Sequence, residues 1–257
     1  TIQYIEVITK AIIEKEIKIQ ELHNKILYKI EKELKENQKH NSYIYKLPTI
    51  NDIVNLDRMD SALYSNEFKK NEFIILNYLN GISSIEELGF EKPSRGQNLQ
   101  ISNIGKSVYS NKKLKGFYRL ILPKYLSKYG TINKVEYIGN KNKLKTLEKG
   151  DIIFGAEGNE KGRSLVIIEN NDKAITNIHG ITLKQKEHNS SKGIFVKLFL
   201  DYLRNNGMID AYAVGGNGGS LAIKYWNYLK FPNFPLEVEK EITSLYYSNL
   251  KEYNINN

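Results

Sequence analysis

"LEKGDIIFGAEGNEKGRSLVIIENNDKAITNIHGITL", residues 147–183, sets three glycines (Gly155, Gly158 and Gly162) between two apolar runs. The fold turns on whether those glycines cradle a phosphate or shape a hairpin. A Walker-type loop needs G-x-x-x-x-G-K-[ST]; Gly158 and Gly162 lead instead into Arg163-Ser164, so spacing and lysine are both wrong. The dinucleotide fingerprint G-x-G-x-x-G fails because the glycines stand three and four residues apart. What remains is geometry: glycine supplies the positive φ of tight loops and lets a backbone approach closely. The flanking runs, "GDIIFGAEGNEKGRSLVII" and "KAITNIHGITLKQ", then read as strands joined by Gly/Asn turns, with Lys161 and Arg163 expected to point outward.

Working outward, "GIFVKLFLDYLRNNGMIDAYA" reads as a helix stopped at Asn206-Gly207, "VGGNGGS" as a loop, and "YLKFPNFPLEVEKEITSLYYSNLKEY" as a proline-bounded entry into a second helix. Before the hairpin, "FIILNYLNGISS" suits a helix or a buried strand, "NLQISNIG" a strand, and "KGFYRLILPKYLSKYG" either. Residues 1–38 contain neither Gly nor Pro and predict one long helix. Ile5, Ile12, Ile19 and Ile26 recur every seven residues, Ile8 and Leu22 fill the offset positions, and Lys15 and Lys29 interrupt the stripe. So narrow a seam on so long a helix asks for a partner helix, although an ordinary helix packed on its own domain would show a similar pattern. The layout is a coiled-coil helix over 1–40, a mixed domain over 41–235 and the start of a C-terminal helix over 236–257. The expected class is α+β, a mixed α/β domain flanked by long coiled-coil helices.

A chain of 257 residues can bury a real core without staples. It has no cysteine, which removes disulfides, thiolate nucleophiles and cysteine-ligated zinc. The four histidines (His23, His40, His179, His188) lie too far apart to suggest a metal spacing. No apolar run is long enough to span a bilayer and no leader opens the chain, so an intracellular, cytoplasmic protein is expected. The only methionines are Met59 and Met208, so residues ahead of Thr1 are expected to have been removed or to belong to a longer polypeptide.

The net charge of +9 is not spread evenly. It is +1 over residues 1–40, +5 over 41–130, +4 over 131–200 and −1 over 201–257. Residues 92–135 hold ten Lys and Arg and no acid, with Gln97, Asn98, Gln100, Tyr109, Phe117 and Tyr118 interleaved. An ordinary solvated face mixes signs, whereas a face for a polyanion need not. Catalytic signatures are missing. There is no D/N-P-P-Y/F loop of a base methyltransferase, and Asp60 with Glu67-Phe68-Lys69 lacks the companion P-D of a restriction-type nuclease. No serine lies in a nucleophile elbow that could use His179.

Taken in order, "LEKGDIIFGAEGNEKGRSLVII", "KAITNIHGITLKQKE", "GIFVKLFLDYLRNNG", a glycine-rich loop and "YLKFPNFPLEVEKEI" resemble the target recognition domain of type I restriction-modification specificity subunits. The resemblance covers about residues 46–245, and the helix at 1–38 is similar to the one that separates two such domains. It implies a mixed α/β recognition domain, an antiparallel coiled coil, sequence-specific binding of double-stranded DNA and assembly with adenine DNA methyltransferase subunits. A restriction (nuclease/translocase) subunit and self-association through the coiled coil follow from the same resemblance. It implies no catalytic residue, metal or cofactor in this chain, S-adenosylmethionine being expected in the partner methyltransferase. Members usually carry two recognition domains and this chain has one, so it is either a half-subunit that pairs with a copy or part of a longer chain. A segment of a fused single-chain restriction-methyltransferase fits as well.

In that frame Lys and Arg hold phosphates while Arg, Asn and Gln read base edges. The candidate DNA-binding residues are Arg95, Gln97, Asn98 and Gln100 in "KPSRGQNLQ", and Lys112, Lys113 and Lys115 in the acid-free stretch. Lys161, Arg163, Asn177, His179, Asn217 and Ser220 complete the set from the other loops. Two rivals remain at this point: a stand-alone nucleic-acid-modifying enzyme, and a scaffold whose coiled coil is its function and whose basic domain binds an acidic partner.

Overall fold

The computed structural model describes residues 2–40, 42–169, 173–215 and 219–253. Helix α1 (Ile2–Glu36) is continuous, as its Gly- and Pro-free sequence predicts. Its apolar stripe divides in two. Ile19 and Ile26 are buried together with Ile30 and Leu34, whereas Ile5 is 60 % and Ile12 50 % exposed. The covering helix, α8 (Leu236–Tyr253), follows Pro235. Lys29 pairs with Glu241, while Glu33 accepts from Tyr78, whose ring meets Phe234. Moving up α1 therefore means moving down α8, and the pair is antiparallel. Lys29, which interrupts the apolar stripe in the sequence, is an ion-pair partner across it. Within this chain Ile19 is covered and Ile12 is not.

Between these helices lie α2 (Ile50–Leu56), α3 (Ser61–Tyr64) and α4 (Asn66–Leu76), then β1 (Ile82–Ser83), β2 (Ser94–Arg95), α5 (Ile101–Ile104), β3 (Ser107–Ser110), β4 (Tyr118–Leu120) and β5 (Glu136–Asn140). After them come β6 (Ile152–Gly155), β7 (Ser164–Val166), β8 (Ala174–Ile175), β9 (Gly180–Leu183), α6 (Ser190–Asn205), α7 (Met208–Tyr212) and β10 (Phe231–Pro232). The opening stretch supplies β6, β7, β8 and β9. Strands β2-β9-β6-β7 form one antiparallel sheet.

Strands β6, β7 and β9 of that sheet are buried on both faces, which is why they read as continuous apolar runs. Ile152 and Phe154 join the main core with α6, while Ile153 and Leu165 point the other way onto Ile121, Leu126 and Leu147. Helix α6 is buried from Gly193 to Leu203 and is apolar nearly all round, as a central helix must be. Each fully buried Leu, Ile or Phe there contributes about 1.5–3 kcal/mol. Asn189 caps its N-terminus by accepting from the Lys192 amide, and Gly207 at φ +68° ends it where Asn206-Gly207 predicted. The same core takes in Ile26, Ile30 and Leu34 of α1.

A second sheet, β3-β5-β4-β8, is antiparallel except for the β4–β8 pair. Tyr118, Leu120, Ile138 and Ile175 on one face make a smaller core with Ile104 and Leu144. "NLQISNIG" is not a strand. The Asn98 side chain accepts from the Gln100 amide, Gln100 starts the single turn α5, and Gly105 at φ +73° ends it. Local turn chemistry outweighs the short apolar alternation. The α+β class matches expectation. Among the described residues no helix is long and apolar enough to cross a membrane, and no His/Cys/Asp/Glu group is placed to hold a metal ion.

Candidate nucleic-acid interface

Four segments distant in sequence meet at one groove. The chain leaving β2 is stitched to the turn between β8 and β9: the Gly96 amide donates to Gly180 O (3.0 Å) and the Gln97 amide to Thr176 O (2.8 Å). A Cβ at position 96 would stand 2.3 Å from Asn177 O and 2.7 Å from Thr176 O, so only glycine permits this approach. Glu157, just past β6, bridges Ser220 on the glycine-rich loop. Pro123 and Lys124, following β4, form the facing wall. The resulting groove, about 760 Å³, is lined by Lys124, Glu157, Asn177, His179, Gly215 and Ser220 among others.

A charged network fixes its floor. Arg95 donates to Glu157 Oε1 (3.0 Å), to Ile178 O (3.3 Å) and to Ser220 Oγ (3.5 Å). The other Glu157 oxygen lies 2.8 Å from His179 Nδ1. With Nδ1–H donating to that carboxylate, a neutral His179 keeps Nε2 as an acceptor, and the imidazolium offers it as a donor. The first form suits the exocyclic amine of adenine or cytosine, the second a guanine edge or a phosphate. Asn177 Oδ1 accepts from the His179 amide (3.3 Å), which holds the turn and leaves the Asn177 amide nitrogen for another partner. Lys124 adds a cation at the rim, its Nζ 5.0 Å from the Tyr125 ring.

The sequence-derived candidates thus separate. Arg95, Asn177, His179 and Ser220 come together. Arg95 is a strut between loops, because its guanidinium is already engaged. Gln97 and Asn98 hold their own loop: Gln97 Oε1 accepts from the Lys145 amide, its Nε2 donates to Asn98 O, and Asn98 Oδ1 accepts from the Gln100 amide. Gln100 is exposed as the cap of α5. Lys112, Lys113 and Lys115 are exposed in the crossover from β3 to β4 and do not line the groove. Lys161 and Arg163 do not point outward. Lys161 is nearly buried against Asp210 at 2.8 Å, and Arg163 donates to Leu126 O at 3.0 Å. Both charges found tertiary partners that lie far away in sequence. Asn217 lies outside the described residues.

Sequence reasoning passed over Glu157. Its signal was an acid set between two glycines, Gly155 and Gly158.

A second groove, about 630 Å³, adjoins the first at Gly158 and lies where α1 meets the domain. Beneath it Lys197 and Asp201, both fully buried, pair at 2.5 Å. Burial pushes His23 down to about 4, outweighing the pull of Asp201, so the imidazole is neutral near pH 7.

No protein-family model matches the sequence, and no curated protein matches it. A solved structure of a type I restriction-modification system, described for its complex assembly and conformational transition, is 13 % identical over 67 % of this chain and 38 % of its own, with a TM-score of 0.45. The crystal structure of the type I restriction-modification S subunit from M. genitalium is 11 % identical, covering 97 % of this chain and 53 % of its own, with a TM-score of 0.50. This chain therefore has the fold of a type I restriction-modification S subunit and spans about half the length of that solved chain.

Proposed function

We propose that this chain recognises a specific sequence in double-stranded DNA and directs an adenine DNA methyltransferase to it. The observation that carries the reading is the groove, where loops from four parts of the chain bring Lys124, Asn177, His179 and Ser220 together on the S-subunit fold. Lysines on phosphates supply affinity and register, and His179 and Asn177 read base edges. Arg95 and Glu157 hold the His179 ring, which makes them positioning residues. In this reading catalysis resides in the partner. The target adenine must leave the stack to be methylated, and both the pocket that receives it and the methyl donor, S-adenosylmethionine, belong to the methyltransferase. A nuclease/translocase subunit completes the restriction assembly. The exposed half of α1, with Ile5, Ile8 and Ile12, joins a second helix of that assembly.

The test is to map methylated adenines genome-wide with the chain and its methyltransferase co-expressed. His179→Ala or Asn177→Ala should relax one position of the target while methylation continues. Methyl transfer by the isolated chain, or an identical site pattern in both variants, contradicts the reading.

A further inference from the structure

The second groove is unused by the reading above. Gln20, His23 and Asn24 of α1 form one wall, and Lys128, Lys161 and Arg204 of the domain supply the cations. One acid lines it, Asp210, and Lys161 already neutralises that carboxylate at 2.8 Å. His23 is neutral, so the remaining lining charge is positive, from Lys128 and Arg204. Arg204 is held in place: its Nη2 donates to Lys128 O (3.2 Å), and its Cδ and Cγ lie where a Cβ on Gly162 would stand, at 2.8 and 2.9 Å. Its Nε is buried and has no hydrogen-bond partner. A buried guanidinium N–H without an acceptor is costly, and among the described residues the guanidinium has one acceptor, Lys128 O, for its five N–H groups.

We propose that this groove is a phosphate seat, formed jointly by α1 and the domain, and that the phosphate comes from the backbone of the DNA bound in the first groove. Arg204 and Lys128 provide charge and donors, and the Gln20 and Asn24 amides complete the acceptor-binding wall. A planar guanidinium with amide neighbours suits a tetrahedral oxyanion better than a carboxylate-poor cation site would suit a metal. The two grooves share the Gly158 turn, so a duplex in the first passes the mouth of the second. Assignment of the phosphate to a duplex rests on the DNA-recognition reading; the seat itself does not.

Two measurements separate these parts. The first is thermal unfolding in inorganic phosphate against chloride at matched ionic strength. Phosphate should raise the midpoint of the wild type, and Asn24→Asp, an exposed substitution that adds a negative charge to the wall, should abolish the rise. Arg204→Gln should abolish it too, and Asn24→Asp keeps the test sound if Arg204→Gln fails to fold. No rise in the wild type, or an equal rise in Asn24→Asp, overturns the seat. The second is the salt dependence of duplex binding. Removing one phosphate contact with Lys128→Ala should lessen the log–log slope by about 0.9. An unchanged slope beside a positive phosphate result overturns the duplex as the source and assigns the seat to a free phosphate compound. No duplex binding by the wild type overturns the DNA-recognition reading and with it the duplex as the source of the phosphate, while the first measurement still decides the seat.

Discussion

Gly96→Ala should damage the recognition groove without replacing any side chain proposed to meet DNA. The added Cβ would sit 2.3 Å from Asn177 O, roughly 1 Å inside ordinary contact, and 2.7 Å from Thr176 O. Neither atom is the end of a flexible side chain, so the strand must retreat. That retreat breaks or lengthens two backbone bonds, from the Gly96 amide to Gly180 O and from the Gln97 amide to Thr176 O. At about 1 kcal/mol each, the loss is about 2 kcal/mol, within the usual 1–3 kcal/mol of overpacking. It also draws Arg95 away from Glu157, so the His179 ring loses its fixed orientation. The comparison is Gly116→Ala, where a Cβ meets nothing within 4 Å and the cost comes from φ +82° alone. Urea unfolding and duplex titration should show both variants destabilised and only Gly96→Ala impaired in sequence discrimination. Equal discrimination in the two, or unchanged stability for Gly96→Ala, refutes the reasoning.

Two further outcomes follow from the packing of α1. His23 has its folded value lowered to about 4 from an ordinary 6.5, so below pH 6.5 the unfolded chain takes up a proton that the folded chain refuses. Stability should fall between pH 6.5 and 4, by about 3 kcal/mol more in wild type than in His23→Gln, as read by urea unfolding across that range. Ile19→Asp buries a charge at a position 2 % exposed and should cost about 3 kcal/mol or more, on the order of a large core defect, whereas Ile12→Asp should leave unfolding within about 0.5 kcal/mol and alter only helix association, read by sedimentation.

The parts of the fold that showed in the sequence are those whose signal is local. The helix over 190–205 announces itself by its cap at Asn189 and its stop at Asn206-Gly207, and β6 and β7 by apolar runs around glycines that could not be a phosphate loop. The heptad stripe of α1 was legible, but which half is covered depends on α8, more than two hundred residues later. The site was legible as a set of loops and not as individual roles. Lys161 and Arg163 look solvated in a glycine-rich turn, yet Asp210 and Leu126 O claim them. Gln97 and Asn98 have the side chains of base readers and spend them on backbone amides and carbonyls. Composition cannot distinguish a side chain that holds a loop from one the loop displays.

The central claim is that the groove around His179 reads base sequence. Selection of bound duplexes from a random-sequence pool, with wild type, His179→Ala and Arg95→Ala in parallel, tests it most directly. The account predicts a single enriched motif for wild type and loss of preference at one position in His179→Ala, corresponding to roughly 1–3 kcal/mol for one base contact. Arg95→Ala should weaken the same position, because it frees the carboxylate that orients the imidazole. A wild type that enriches no motif, or variants that enrich the wild-type motif unchanged, would contradict it.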